Sequence, residues 1–250
     1  MSIKYDLSDV TFVIPLRIDS EERHSNLEAL LKVLIREFNT HIIILEGDKD
    51  QLINIEQIGF DYHFVYDDNP IFHRTKYINQ LINISTTPIV AIWDVDAIGI
   101  PLQIVDAVKQ IRTENAVMAF PYDGRFYSVN PGTSHLFRQT LQYEVFTENI
   151  AQMHLMCGYY SVGGAYIIHK KKYLQAGGEN ENFYGWGPED AERVRRMEIF
   201  GLPVYNSSGF LFHLWHPRSC WFANKETEMQ NRKEFVRICG NTKLQLKENL

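Results

Sequence analysis

Short apolar runs alternating with helix-patterned segments constrain the fold of this chain more than any other feature. Residues 10–16, 41–45 and 62–66, and the run leading into Ala91-Ile92-Trp93, each read as a buried strand. They are brief, rich in β-branched and aromatic residues, and closed by polar or proline punctuation. After the first run, Asp19 or Ser20 can cap a helix in which Leu27, Leu30, Leu31, Leu34, Ile35 and Phe38 recur at helical spacing. A further helix over residues 72–84 turns Ile78, Leu81 and Ile82 inward, and Thr87-Pro88 restarts the chain into the next strand. Strand and helix in alternation with short connections predict an α/β layer, with a parallel sheet and right-handed crossovers, of the kind that binds nucleotides.

The run at 91–93 ends in Asp94-Val95-Asp96. In an extended chain, side chains two apart share a face, so both carboxylates would stand together at the sheet's carboxyl edge. Open α/β sheets bind ligands at that edge. Paired carboxylates there suit a hard divalent cation that also reaches a phosphate. Taken alone, Asp-x-Asp is more often a solvated turn, so the rest of the chain must decide.

In the second half, Pro101 opens a helix to Arg112, residues 116–120 read as a strand, 121–134 as a loop and 134–150 as a helix. Residues 162–168 read as a strand in which Gly163-Gly164 let something approach the backbone, and 170–176 as a helix stopped by Gly177-Gly178. Tyr184-Gly185-Trp186-Gly187-Pro188-Glu189-Asp190 sets two aromatics among glycines just before two carboxylates and a charged helix over 191–200. Aromatic faces beside carboxylates suit a sugar ring; Pro188, Glu189 and Asp190 equally suit an ordinary helix start. Residues 204–206 and 209–215 read as strands, the latter carrying His213 and His216, which are metal ligands or structural imidazoles. Residues 217–230 read as a mobile lid before a last helix over 234–239.

Composition excludes several function classes. A net charge of -6 gives no basic footprint, which argues against nucleic-acid partners. The apolar runs are far shorter than the roughly 20 residues of a membrane-spanning helix, and the first residues lack a signal-peptide core. A soluble, cytoplasmic protein is expected. Cys157, Cys220 and Cys239 are odd in number and widely spaced, against a disulfide framework or a thiolate zinc site.

The order of motifs resembles the GT-A-fold glycosyltransferases, in particular the β-1,4-galactosyltransferase-like and N-acetylgalactosaminyltransferase-like family. The resemblance is carried by Ile14-Pro15-Leu16-Arg17, residues 72–79, Asp94-Val95-Asp96, Gly163-Gly164, Gly185-Trp186-Gly187-Pro188-Glu189-Asp190 and His213-x-x-His216, over residues 10–235. It implies a single Rossmann-like domain with a mostly parallel central sheet flanked by helices. Residues 1–120 would form the nucleotide-binding half and 121–250 the acceptor-binding, metal-completing half, with the lid near 217–230.

The same resemblance implies a metal-dependent transfer of a hexosyl or N-acetylhexosaminyl group from a UDP-sugar to a saccharide acceptor. Pro15, Arg17, Arg74, Asp94, Val95 and Gly164 would contact the nucleotide sugar, and Asp96 and His216, with His213 and Asp94, would hold Mn2+ or Mg2+. Asp190 would be the general base of an inverting displacement, and Tyr184, Trp186 and Glu189 would hold the acceptor. A retaining transferase of the same fold and a noncatalytic glycan- or nucleotide-binding protein are the alternatives. The family usually has Gly where Pro188 stands, its animal members commonly have Met where His213 stands, and some carry a bulky aromatic where Ser161 stands. That last difference implies room for a larger donor such as UDP-GalNAc. The membrane anchor and stem of the animal enzymes have no counterpart here, which implies a bacterial-type transferase working on a cytoplasmic precursor in polysaccharide biosynthesis.

Overall fold

The computed structural model describes residues 4–54, 60–185, 187–217 and 225–248. Its first half follows the expected alternation: β1 (Tyr5–Leu16), α1 (Glu21–Glu37), β2 (Phe38–Asp48), β3 (Asp61–Tyr66), α2 (Arg74–Ile84) and β4 (Ile89–Trp93). β5 (Ala97–Gly99), α3 (Pro101–Arg112), β6 (Met118–Phe120), β7 (Arg125–Ser128), α4 (Pro131–Thr140), α5 (Glu144–Asn149) and β8 (His154–Leu155) come next. β9 (Ala165–His169), α6 (Lys170–Gln175), α7 (Glu189–Phe200), β10 (Val204–Asn206), β11 (Phe210–His213), α8 (Lys225–Cys239) and α9 (Lys243–Glu248) complete the chain.

The central sheet has the order β10-β6-β9-β4-β1-β2-β3. β3, β2, β1 and β4 are mutually parallel, and β9 runs against both β4 and β6. The sheet is therefore mostly parallel, as expected, with one reversed strand. A second sheet has the order β5-β11-β7-β8, and its β5 follows the turn at the carboxyl end of β4.

α1 starts where Ser20 accepts a hydrogen bond from the Arg23 N–H at 3.2 Å, and Glu21 and Glu22 oppose the helix dipole. Leu27, Leu30, Leu31 and Leu34 are buried against the sheet. Ile35 is exposed and Phe38 already belongs to β2, so the helical stripe ends sooner than its spacing predicts. In the sheet interior Phe12 packs on Phe38 and on Trp93, with ring centroids 5.9 and 5.4 Å away. Each such fully buried apolar side chain contributes about 1.5–3 kcal/mol relative to exposure.

Four expectations change. The helix expected over 134–150 is two helices, because Leu141 takes the left-handed conformation with φ 54° and ends α4. The loop expected over 121–134 contains β7, paired with β11, and the start of α4 behind the Asn130 cap. β9 begins only at Ala165, since Gly164 at φ +79° turns the chain first. The lid expected over 217–230 is helical from Lys225, and residues 218–224 lie outside the described residues. No helix among the described residues is long and apolar enough to cross a membrane.

Candidate active site

β4 stops at Trp93, and a tight turn closes immediately after it, with the Ala97 N–H donating to the Asp94 carbonyl at 3.0 Å. The Trp93 indole N–H reaches the Ala97 carbonyl at 2.7 Å and fixes the same turn from below. Because the chain turns here instead of staying extended, Asp94 and Asp96 face different partners.

Asp96 is buried and faces the histidines. Its Oδ1 lies 3.4 Å from His213 Nε2 and its Oδ2 lies 3.2 Å from His216 Nε2. One ligand atom from each of Asp96, His213 and His216 falls within 4.8 Å of the others. Burial pushes the Asp96 carboxyl up, but His213, His216 and Arg23 outweigh it and hold it well below the usual carboxylate range. His216 is raised above an ordinary imidazole, since its hydrogen bond to Asp96 overcomes the opposing effect of burial. The two imidazoles come from the end of β11 and the residues after it, and the Leu214 N–H donating to the Asp96 carbonyl at 2.8 Å aligns that segment with the turn.

Asp94 stands outside this set. Its Oδ1 accepts from Arg74 Nη2 at 2.6 Å and Nε at 3.2 Å. Burial raises its carboxyl, Arg74 lowers it, and Asp96 adds to the rise, leaving it above the ordinary value. Arg74 Nη1 also lies 3.8 Å from Asp190 Oδ1, so one guanidinium spans the carboxylate of the turn and that of α7.

Asp190 is in the first turn of α7, with Arg193 Nη1 at 2.9 Å from its Oδ1. Beneath it Arg193 is fully buried and paired with Glu179 through Nε at 3.0 Å and Nη2 at 2.9 Å. Glu179 also accepts from the hydroxyls of Tyr166 and Tyr173. Burial pushes Glu179 up, yet Arg193 and these hydroxyls bring it down to about 2. Glu189 is buried with its Oε2 unpartnered among the described residues, and burial together with the neighbouring Asp190 pushes it up to about 8.

The other expected residues are distributed around this centre. Pro15 lies past the last β1–β4 pair, at Val13, so its missing N–H leaves no gap in that ladder. Arg17 is buried and its donors are engaged with the chain: Nε with the Gly47 carbonyl at 2.7 Å, Nη1 with the Asn69 carbonyl at 2.8 Å and Nη2 with Asp67 at 3.2 Å. It ties the ends of β1, β2 and β3 together instead of presenting a free fork. Val95 is buried in the core. At Gly164 a Cβ would meet the Phe126 ring at 2.6 Å, so no side chain fits there. Tyr184 is held by Asn231 of α8, through its N–H at 3.2 Å and its carbonyl at 2.9 Å, and its ring meets His73 edge-on at 4.7 Å. Trp186 lies outside the described residues. Arg23, Arg193, Glu179 and Tyr122, whose hydroxyl donates to the Gly163 carbonyl at 2.7 Å, join the site without having been expected in it.

Comparison with known proteins places these features. Glucosyl-3-phosphoglycerate synthase of Mycobacterium tuberculosis, solved with Mn2+, UDP and phosphoglyceric acid, superposes with a TM-score of 0.55 at 15% identity, over 92% of this chain and 78% of that one. A Drosophila β1,4-galactosyltransferase 7 variant, solved with manganese, UDP-Gal and xylobiose, superposes with a TM-score of 0.53 at 17% identity, over 88% of this chain and 78% of that one. The fold is the GT-A fold of glycosyltransferases. Part of its sequence is also similar to galactosyltransferases. The family model for the N-terminal domain of galactosyltransferase matches residues 145–216. Mouse and human β-1,4-galactosyltransferase 7 are 27% identical over 153 residues, 59% of this chain. That match spans 37% of the length of those curated relatives.

Proposed function

We propose that this chain transfers a hexosyl or N-acetylhexosaminyl group from a UDP-sugar to a hydroxyl of a glycan acceptor, with inversion and with a divalent metal. The observation that carries the reading is the Arg74 bridge, which sets Asp190 beside the Asp94 turn, with the Asp96–His213–His216 cluster next along the same strand end.

One buried carboxylate oxygen and two partly buried imidazole nitrogens, converging, fit a first-row divalent ion such as Mn2+ better than Mg2+, which favours oxygen. Asp96, His213 and His216 would hold it. When bound, such an ion offsets the charge that develops on a departing nucleoside diphosphate. Arg74, fixed on Asp94, adds a permanent positive charge at the same edge. Asp190, held by Arg193, takes the acceptor hydroxyl's proton. Tyr184 and Glu189 would hold the acceptor.

Ligands seen in structural neighbours support the donor class: UDP with Mn2+ in one, UDP-Gal with manganese in another. The decisive test is Asp190→Asn. Transfer falls by about 10²–10⁴-fold, while UDP affinity, measured by calorimetry with Mn2+, stays unchanged. Transfer by the variant at the wild-type rate overturns the assignment.

A further inference from the structure

The metal-type cluster has a fourth neighbour that no motif contains. Arg23, in the first turn of α1, donates from Nε to Asp19 Oδ1 at 2.8 Å and from Nη1 to Asp96 Oδ2 at 3.0 Å. Its Nη2 lies 3.1 Å from Nδ1 and 3.2 Å from Nε2 of His216. Every nitrogen of this guanidinium is therefore directed at a carboxylate or imidazole of the site or its border. The group keeps its charge at any physiological pH.

This geometry makes Arg23 a competitor. Asp96 Oδ2 is the oxygen that both Arg23 and His216 approach. His216 Nδ1 donates to the Pro217 carbonyl at 2.7 Å, so the nitrogen left for a metal is Nε2, which Arg23 and Asp96 Oδ2 both approach at 3.2 Å. A divalent ion held by Asp96 and His216 must thus take acceptors from Arg23. The two cations would then lie a few ångströms apart at a site where Asp96 is buried, and their repulsion is strong there. Asp19 keeps hold of Nε, so Arg23 cannot simply leave for solvent.

We propose that Arg23 is the internal counter-ion of the Asp96–His213–His216 cluster, and that it couples metal loading to nucleotide loading. Without nucleotide, its charge depresses affinity for the metal. When a nucleoside diphosphate arrives, the phosphate oxygens supply the negative charge that lets guanidinium and metal sit side by side, and each ligand strengthens the other. Such coupling is reciprocal. Arg23 is in this sense a positioning residue, and the inference rests on the metal and nucleotide reading given above.

The test is Mn2+ binding, followed by calorimetry and by the electron paramagnetic resonance of free Mn2+, for wild type, Arg23→Gln and Arg23→Lys, each with and without UDP. Without UDP, Arg23→Gln binds Mn2+ about tenfold tighter or more, because one positive charge has been removed next to the ion. Arg23→Lys keeps the charge and stays near wild type. The factor by which UDP tightens Mn2+ binding shrinks about tenfold in Arg23→Gln, as loss of a coupling group requires. Arg23→Met supplies the same comparison should Arg23→Gln not fold. Equal Mn2+ affinity in wild type and the uncharged variants overturns the role of Arg23 and leaves the metal site standing. Absence of Mn2+ binding to every protein, with UDP present, overturns the metal site and the coupling together.

Discussion

Gly163 and Asp190 touch: a Cβ built on Gly163 would stand 2.5 Å from Asp190 Oδ2. The proposed base therefore occupies the space that any side chain at 163 would need. Gly163→Ala pushes the carboxylate off its place while Arg193 holds its other oxygen. We predict a fall in kcat of about 10–100-fold, as expected for a displacement near 1 Å, with the Kd for UDP and Mn2+ unchanged. Steady-state kinetics beside calorimetry checks this; an unchanged kcat refutes it.

Glu189 gives a prediction about pH. Its folded-state pKa is about 8, above the ordinary carboxylate value, because burial and Asp190 disfavour its charge. A group raised on folding binds its proton more tightly in the native state, so its contribution to stability falls as pH rises from the unfolded pKa through 8. Glu189→Gln removes that loss. The variant should melt higher than wild type at pH 8.5 by an amount corresponding to roughly 2 kcal/mol or more, and the difference should shrink toward pH 5. Melting curves across this range decide it.

Arg193 and Glu179 form a buried pair under Asp190. Removing one partner strands a charge, so Arg193→Met should cost about 3–5 kcal/mol in denaturant unfolding. Removing both charges, as in Arg193→Met with Glu179→Gln, should recover a large part of that loss. Equal destabilisation of the single and the double variant would sink this account.

Donor choice offers a further prediction. Ser161 is small, is buried, and has its N–H fixed to the Gly124 carbonyl at 2.9 Å. The hypothesis that it leaves room beside the donor's C2 group predicts that UDP-GalNAc competes with UDP-Gal to within about tenfold, a margin typical of pockets that differ by small groups. Strict preference for UDP-Gal in a competition assay overturns it.

Much of this architecture is legible in the sequence. The Ser20 cap, α3 from Pro101 to Arg112 and the strands of the first half follow from local spacing, and they appear where expected. Of the four residues that the resemblance groups around a metal, Asp96, His213 and His216 lie together and Asp94 turns to Arg74. What escaped depends on distant partners or very short elements. Arg23 reads as one more charge on a helix surface, and only the fold brings it to Asp96. β7 and β8 are too short to display a period, and the reversal of β9 leaves no trace in hydrophobic patterning. Leu141 breaks its helix without the glycine that usually marks such a stop. The first half of α8 shows little apolar signal because the residues it buries there are Thr227 and Asn231, the latter bonded to Tyr184.

The hydrogen bond from the Leu214 N–H to the Asp96 carbonyl joins residues far apart in the chain. Asp96 leaves the ribosome long before His213 and His216 do, so a growing chain holds one of the three cluster residues for much of its synthesis. A chain broken between residues 206 and 213 would contain every strand of the central sheet and only one of the three cluster residues, so completing the cluster waits for nearly the whole polypeptide.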